Sequence, residues 1–195
     1  MKLLYTKTSP YARKARVIAL EKNIPLELVD EDLQKKSQRL LDANPLGKVP
    51  TLVLDDGTTV FDSPVICQYL DGLNGQVIMI PRDIPGRFEV LKWEAFADDL
   101  TASAINLYRE KVRHPQDFNK EFIAAGEAGI GRAYTYIENN LHRLQIFNLA
   151  PVAVASAIGY IHLRLPHLKV QGDVQQWFEV ISKRPSMAQT IPAVQ

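Results

Sequence analysis

The 195-residue chain is 46% hydrophobic and 23% charged, with a formal net charge of +1, the composition of an ordinary globular protein with material for a core. So balanced a charge supplies no basic surface for nucleic acid or an anionic membrane, and no run approaches the roughly 18 apolar residues that span a bilayer. The lone cysteine, Cys67, excludes an internal disulfide framework, and the first residues lack the apolar stretch and cleavage site of a signal peptide, so a cytoplasmic location is expected.

In chain order, residues 2–5 are a short apolar run that reads as a buried strand. Helical spacing follows, with Ala15, Ile18, Ala19 and Lys22 on one face and Val17 and Leu20 widening the stripe. Asn23 suits a left-handed helix stop, and Pro25 confirms the end. Residues 26–30 alternate as a strand, 38–43 read as a short helix, and 51–54 as an apolar strand. Asp55-Asp56-Gly57 is a hairpin turn into a return strand over 58–61. Ser63 is expected to cap a helix with Pro64 at its first position and Gly72 at its end. The order is β-α-β-α-β-β-α.

Residues 73–87, with Gly75, Pro81, Pro85 and Gly86, have the composition of a linker. Beyond it only helical patterns occur, over 88–113, 119–141, 149–165 and 172–183. An α/β unit therefore precedes an all-helical one.

Ser9-Pro10 and Ser63-Pro64 share a logic: Ser favours the N-cap, and Pro is tolerated in the first turn, where its missing N–H would be unpaired anyway. Either pair alone is an ordinary helix start. Each also follows a strand, where free N–H groups and the helix dipole favour an anion. Between them, Gly47-Lys48-Val49-Pro50-Thr51 opens a strand with a proline, a residue confined to strand starts and edges. A cis bond before Pro50 would leave the Val49 N–H and C=O for an extended partner.

Strand–Ser-Pro–helix, then NPLGKVPTL, the turn DDG and FDSPVICQYL together resemble the N-terminal, thioredoxin-like domain of cytosolic glutathione transferases. FNLAPVAVASAIGYIHLR and WFEVISKRPSM are similar to that family's core and closing helices, so the resemblance covers essentially the whole chain. It implies an α/β thioredoxin-like N-terminal domain over 1–75, a linker over 76–86 and an all-α C-terminal domain over 87–195. Ser-Pro-Tyr is similar to the serine-type members, such as the tau class and several bacterial proteins.

By this resemblance the Ser9 hydroxyl donates to the glutathione sulfur, and glutathione is a co-substrate rather than a resident cofactor. Val49, before a cis Pro50, pairs with the cysteinyl backbone. Ser63 holds the γ-glutamyl carboxylate, Asp62 attracts the α-ammonium and Lys48 faces the glycyl carboxylate. Tyr5, at the end of the first strand, and Thr8 are rivals for the sulfur. The implied activity is conjugation to a small hydrophobic electrophile by a homodimer. A binding or stress-regulatory protein of the same fold and a glutathione-dependent peroxidase are the alternatives.

The electrophile would lie between the two units, with Tyr11, Phe96, Leu100, Ile105 and Tyr108 as candidate walls. Asp98 and Asp99 either reach a neighbouring subunit's glutathione or form a solvated face. Cys67, inside a helix, reads as a buried and inert thiol.

His114, His142, His162 and His167 show no metal spacing, and no metal is expected. Gly129-Ile130-Gly131 follows no strand and is no dinucleotide fingerprint, so Gly126, Gly129 and Gly131 read as helix-packing positions. Arg13, Lys14, Arg16, Lys35 and Lys36 read with Glu27, Asp30, Glu31 and Asp32 as solvated faces. In place of the family's Ser/Thr-x-x-Asp capping box stand Asn148 and Pro151, which obliges the Asn148 side chain to cap the Ala150 N–H.

Overall fold

The computed structural model describes residues 1–75 and 77–193. The first part comprises β1 (Lys2–Tyr5), α1 (Pro10–Glu21), β2 (Glu27–Asp30), α2 (Gln38–Ala43), β3 (Thr51–Val53), β4 (Thr59–Val60) and α3 (Ser63–Gly72). The sheet order is β2-β1-β3-β4; β1 pairs parallel with β2 and antiparallel with β3, which pairs antiparallel with β4. Alternation along the strands sorts their side chains. Leu3, Tyr5 and Leu52 join α1 and α3 in the main core, whereas Leu4 turns to Leu40 and Ala43 of α2. This is the expected thioredoxin-like arrangement, with the turns read from sequence in place: Asn23 lies at φ 54 and Gly57 at φ 86.

The remainder is helical: α4 (Ile84–Arg113), α5 (Lys120–Asn139), α6 (Leu149–Arg164), α7 (Gly172–Ser182) and the short α8 (Pro185–Ala188), with 3-10 turns at Leu141–Leu144 and Pro166–Leu168. Gln76, where the linker was expected to begin, lies outside the described residues. The structure starts α4 four residues before the expected 88. Asp83 accepts from Gly86 N at 2.8 Å, and Pro85 falls within the first turn, where its missing N–H costs nothing. The cap of α6 follows expectation, with Asn148 accepting from Ala150 N at 2.9 Å.

α6 is buried along nearly its whole length and packs on both α1 and α4, so it joins the two parts. α1 is therefore covered on several sides, which corrects the reading of its basic residues as a solvated face: Arg13 is 3% exposed and Lys14 1%. The same correction applies to Glu31, which is buried and takes Arg39 at 2.8 Å and Ser37 at 2.7 Å. Lys22, placed on the apolar face by its spacing, is also buried; its ammonium holds Asp71, Asn74 O and Val77 O. Asp71 in turn accepts from Met79 N at 2.8 Å and Ile80 N at 3.2 Å, pinning the connection between the parts.

The Arg-Pro-Ser motif closes the far side. Arg184 forks onto Glu21 at 2.8 and 2.6 Å, and Ser186 donates to the same carboxylate. Of the three glycines read as packing positions, only Gly126 is one: a Cβ there would meet Leu107 at 2.5 Å, whereas Gly131 faces open space.

Candidate functional site

Strand register assembles the site. β1 runs antiparallel to β3, with Leu4 opposite Thr51. Followed past that pair, the ladder sets Val49–Pro50 beside Tyr5 and Thr6. β3 runs antiparallel to β4, with Leu52 opposite Val60, so the same extension sets Asp62 beside Pro50. The end of β1, the start of β3 and the end of β4 therefore share one edge of the sheet. Both α1 and α3 point their N-termini at it, and with them the positive ends of two helix dipoles.

Ser9 is the N-cap of α1 in extended backbone, and its Oγ accepts from Ala12 N at 3.1 Å. Capping occupies a lone pair of the hydroxyl and leaves its proton for another acceptor. Of the rivals, Tyr5 is buried in the core, with Arg16 stacked 5.0 Å from its ring centroid. Thr8 lies before the cap and is half-buried.

The Val49–Pro50 peptide is cis, as is Phe61–Asp62. Among the described residues neither the N–H nor the C=O of Val49 has a partner. Lys48 is exposed. The loop owes its shape to Asn44, which sequence reasoning missed. Its buried amide donates to Lys48 O and to Thr51 Oγ1, both at 3.2 Å, and its Oδ1 accepts from Leu46 N at 3.0 Å. The signal available was an asparagine directly before Pro45, a pair that favours turn initiation.

At α3 the cap differs from expectation. Asp62 occupies the N-cap, with no side-chain cap hydrogen bond, and Ser63 and Pro64 are inside the first turn. The proline has no N–H and Ile66 N returns to Asp62 O, so the Ser63 and Val65 N–H groups and the Ser63 hydroxyl remain for an anion. Asp62 itself is exposed.

Behind the site, Lys14 of α1 meets two carboxylates of α4, Glu94 Oε1 at 2.9 Å and Asp98 at 2.7 Å. Burial works against the lysine charge, but the carboxylates outweigh it and hold its pKa above the ordinary value. One ammonium cannot compensate both acids. Burial pushes Asp98 up to about 6, against the pull of Lys14 and with the help of nearby Glu94 and Asp62. Asp98 is thus tied down within its own chain and belongs to no solvated face; Asp99 is exposed. The Tyr11 hydroxyl donates to Asp98 O at 3.3 Å, and burial first, then Asp98, pushes its phenol up to about 12, so it is protonated near neutrality.

Among the expected cleft walls, Phe96 packs edge-on to Trp93 at 5.5 Å and against Tyr136 at 5.1 Å, and Leu100 is core. Cys67 is fully buried, and burial drives its thiol far above the ordinary range, as expected of an inert sulfhydryl. No cluster of three His, Cys, Asp or Glu side chains able to hold a metal occurs among the described residues, nor does a helix long and apolar enough to cross a membrane.

Comparison with known proteins points the same way. Residues 8–73 match the family described as Glutathione S-transferase, N-terminal domain. The uncharacterized GST-like protein YibF of Escherichia coli strain K12 is 34% identical over 168 residues, spanning 84% of this chain and 83% of its own. A glutathione transferase family member from Pseudomonas fluorescens Pf-5, solved with bound glutathione, is 32% identical, covers 99% of both chains and superposes with a TM-score of 0.93. A second structure from Pf-5, holding S-(propanoic acid)-glutathione, is 33% identical over 100% of both chains with a TM-score of 0.89. Two helix N-termini meeting a proline-led strand, in a chain alike to these proteins over most of its length, leave one conclusion: it belongs to the glutathione S-transferase family.

Proposed function

We propose that the protein conjugates glutathione to small electrophiles, with the Ser9 hydroxyl donating to the sulfur. The observation that carries this reading is the division of labour at Ser9, whose oxygen lone pair serves Ala12 N while its proton is available at the mouth of α1. A free thiol has a pKa near ~8.5. A hydrogen bond to a charged group contributes roughly 1.5–3 kcal/mol, and the helix terminus about 0.3–1 kcal/mol. At about 1.36 kcal/mol per unit, the sum lowers the thiol by roughly 1.5–3 units, enough to ionise much of it near neutral pH. Ser9 keeps its own proton throughout. The attacking sulfur forms the new bond to carbon while the electrophile's leaving group departs with its electron pair.

The other roles follow from the same edge. Val49 offers its N–H and C=O to the cysteinyl backbone, with Pro50 shaping the approach. Ser63, by its hydroxyl and N–H, holds the γ-glutamyl carboxylate; Asp62 holds the ammonium; and Lys48 faces the glycyl carboxylate. Glutathione held by the Pf-5 relative, and a conjugate held by the second structure, support this.

Residues 1–75 are then the glutathione-binding domain and 87–195 the helical domain, joined by 76–86, of which 84–86 already form the first turn of α4, and the protein works in the cytoplasm as a homodimer. The exposed Phe61 just before α3, Val65 on α3, and Ile84 and Phe88 on α4, with α3 and α4 tied together by Arg87 through Gln68, suit such an interface.

Retention on immobilised glutathione followed by turnover of 1-chloro-2,4-dinitrobenzene tests the reading. Retention with turnover is expected. Binding without turnover of any aryl halide or enone would contradict it in favour of a binding protein, and turnover confined to organic hydroperoxides in favour of a peroxidase.

A further inference from the structure

We propose that Arg13 is a positioning residue for the sulfur site, clamping the first turn of α1, and with it the Ser9 hydroxyl, to the closing segment of the chain; this rests on the reading of Ser9 above. Arg13 stands one helical turn past Ser9, and its N–H bonds Ser9 O at 3.0 Å. Ser9 Oγ accepts from Ala12 N in the same turn. Whatever fixes residues 12 and 13 therefore fixes both bonds that orient Ser9. The Arg13 side chain is buried; its Nη2 donates to Met187 O at 3.1 Å and its Nε to Thr190 Oγ1 at 3.4 Å. Thr190 is also buried and gives its own proton to Ser186 O at 2.8 Å, which leaves a lone pair of the hydroxyl for Nε.

The same segment is held on α1 at two further points. Arg16 Nη2 donates to Gln189 O at 3.4 Å, and Glu21 takes Arg184 and Ser186. Residues 13, 16 and 21 thus make a seam along one side of α1, and Arg13 closes it at the end nearest Ser9. Room for the guanidinium is reserved by α6. Its Nη1 lies 2.6 Å from where a Cβ on Gly159 would stand, and Gly159 is the one glycine of that helix.

Stability does not account for this residue. Among the described residues no carboxylate pairs with Arg13, and its buried Nη1 has no acceptor. Burial, then the charge of Arg16, lowers its pKa to about 10, so it is charged at neutral pH. A buried cation without a partner acid carries a desolvation cost that an apolar side chain of similar length avoids. Met187 O does not depend on it, since Thr190 N reaches that carbonyl at 3.3 Å. What the guanidinium supplies and an apolar chain cannot is direction. Its planar fork on two acceptors leaves the turn that carries Ser9 one place to sit.

Ultraviolet titration of bound glutathione in the wild type, Arg13→Met, Arg13→Lys and Arg184→Gln tests the clamp, with melting temperatures alongside. Arg13→Met is expected to raise the thiol pKa by about one unit, a tenfold loss of thiolate at lower pH and the scale of one weakened charge-assisted hydrogen bond. It is expected to lower kcat more than it raises KM. Arg13→Lys, which keeps one donor for Met187 O, is expected to recover part of the shift. Arg184→Gln loosens the same segment at the far end of α1 and is expected to lower the melting temperature with the thiol pKa in place. A thiol pKa unmoved in Arg13→Met, or moved as far by Arg184→Gln, overturns the clamp. Should Arg13→Met not fold, Thr190→Val removes only the acceptor of Nε: a smaller rise supports the clamp and no rise overturns it. Ser9→Ala separates the two readings. A thiol pKa unchanged there strikes the role of Ser9 and the clamp with it, whereas a shift in Ser9→Ala with none in Arg13→Met strikes the clamp alone.

Discussion

A serine hydroxyl has one proton and two lone pairs, and at the mouth of α1 they are used separately. Ala12 N takes a lone pair at 3.1 Å, which fixes where the oxygen sits and so where the proton can point. Asn44 does comparable work for the neighbouring loop. With its amide bonded to Lys48 O and Thr51 Oγ1, it presents Val49 to whatever binds there. Asn44→Ala removes both bonds and takes from Leu46 N its acceptor, while Lys48 O keeps only the Thr51 hydroxyl at 2.9 Å, a loss of roughly 1–3 kcal/mol. It is expected to lower the melting temperature and weaken glutathione affinity together; calorimetry showing affinity intact in a destabilised variant would separate the loop from the site. Ser9, Val49 and Pro50 were legible in the sequence because local rules mark them: a cap residue before a proline, and a proline opening a strand. Asn44 was not, because nothing local says that its amide will be buried. The exact cap of α3 was missed for a related reason, since Asp62 and Ser63 are both good caps and only the backbone chooses between them.

Among the elements, periodicity predicted those that bury one face, and it failed where burial is set by a distant partner. α1 shows both outcomes. Its spacing put Lys22 on the inner face, yet Arg13 and Lys14 seemed solvated because the residues that cover them lie 80 and 174 positions downstream, as the Lys14–Glu94 and Arg13–Met187 contacts show. The start of α4 was missed because proline and glycine suggest a linker, whereas Asp83 turns them into a first turn. α6 was read correctly to its cap. Pro151, which offers no N–H, leaves the Asn148 side chain to bond Ala150 N at 2.9 Å, beside the Leu149 N bond to Met79 O at 3.0 Å. Asn148→Ala is expected to lower stability by about 1 kcal/mol, read from denaturant midpoints at constant m-value. An unchanged midpoint would show that burial of α6 alone sets its start.

For the molecule as a whole, the Lys14–Glu94–Asp98 cluster couples the sheet layer to the helical part and makes stability depend on pH. The folded-state pKa of Asp98, raised to about 6, exceeds its unfolded value, so between about pH 4 and 6 the native state holds a proton that the unfolded chain has released. Stability from this group is present below the unfolded pKa and is lost as pH rises through the folded one, a contribution of roughly 1–3 kcal/mol. His162 acts in the opposite sense: burial holds its pKa below the ordinary value while Nε2 accepts from Val170 N at 3.2 Å, so its contribution is lost on acidification. Asp98→Asn removes only the first effect. The wild type is therefore expected to lose more stability than the variant between pH 5 and pH 7.5; parallel melting-temperature curves would contradict that assignment. None of this network was legible in advance, since it depends on three charges from two helices sharing one dry space.

The most direct measurement follows the ultraviolet absorbance of bound glutathione thiolate against pH, in the wild type and in Ser9→Ala. The account predicts a thiol pKa lowered by roughly 1.5–3 units in the wild type, with most of the shift lost in the variant and turnover falling in parallel. Superimposable titration curves, with turnover retained, would contradict it.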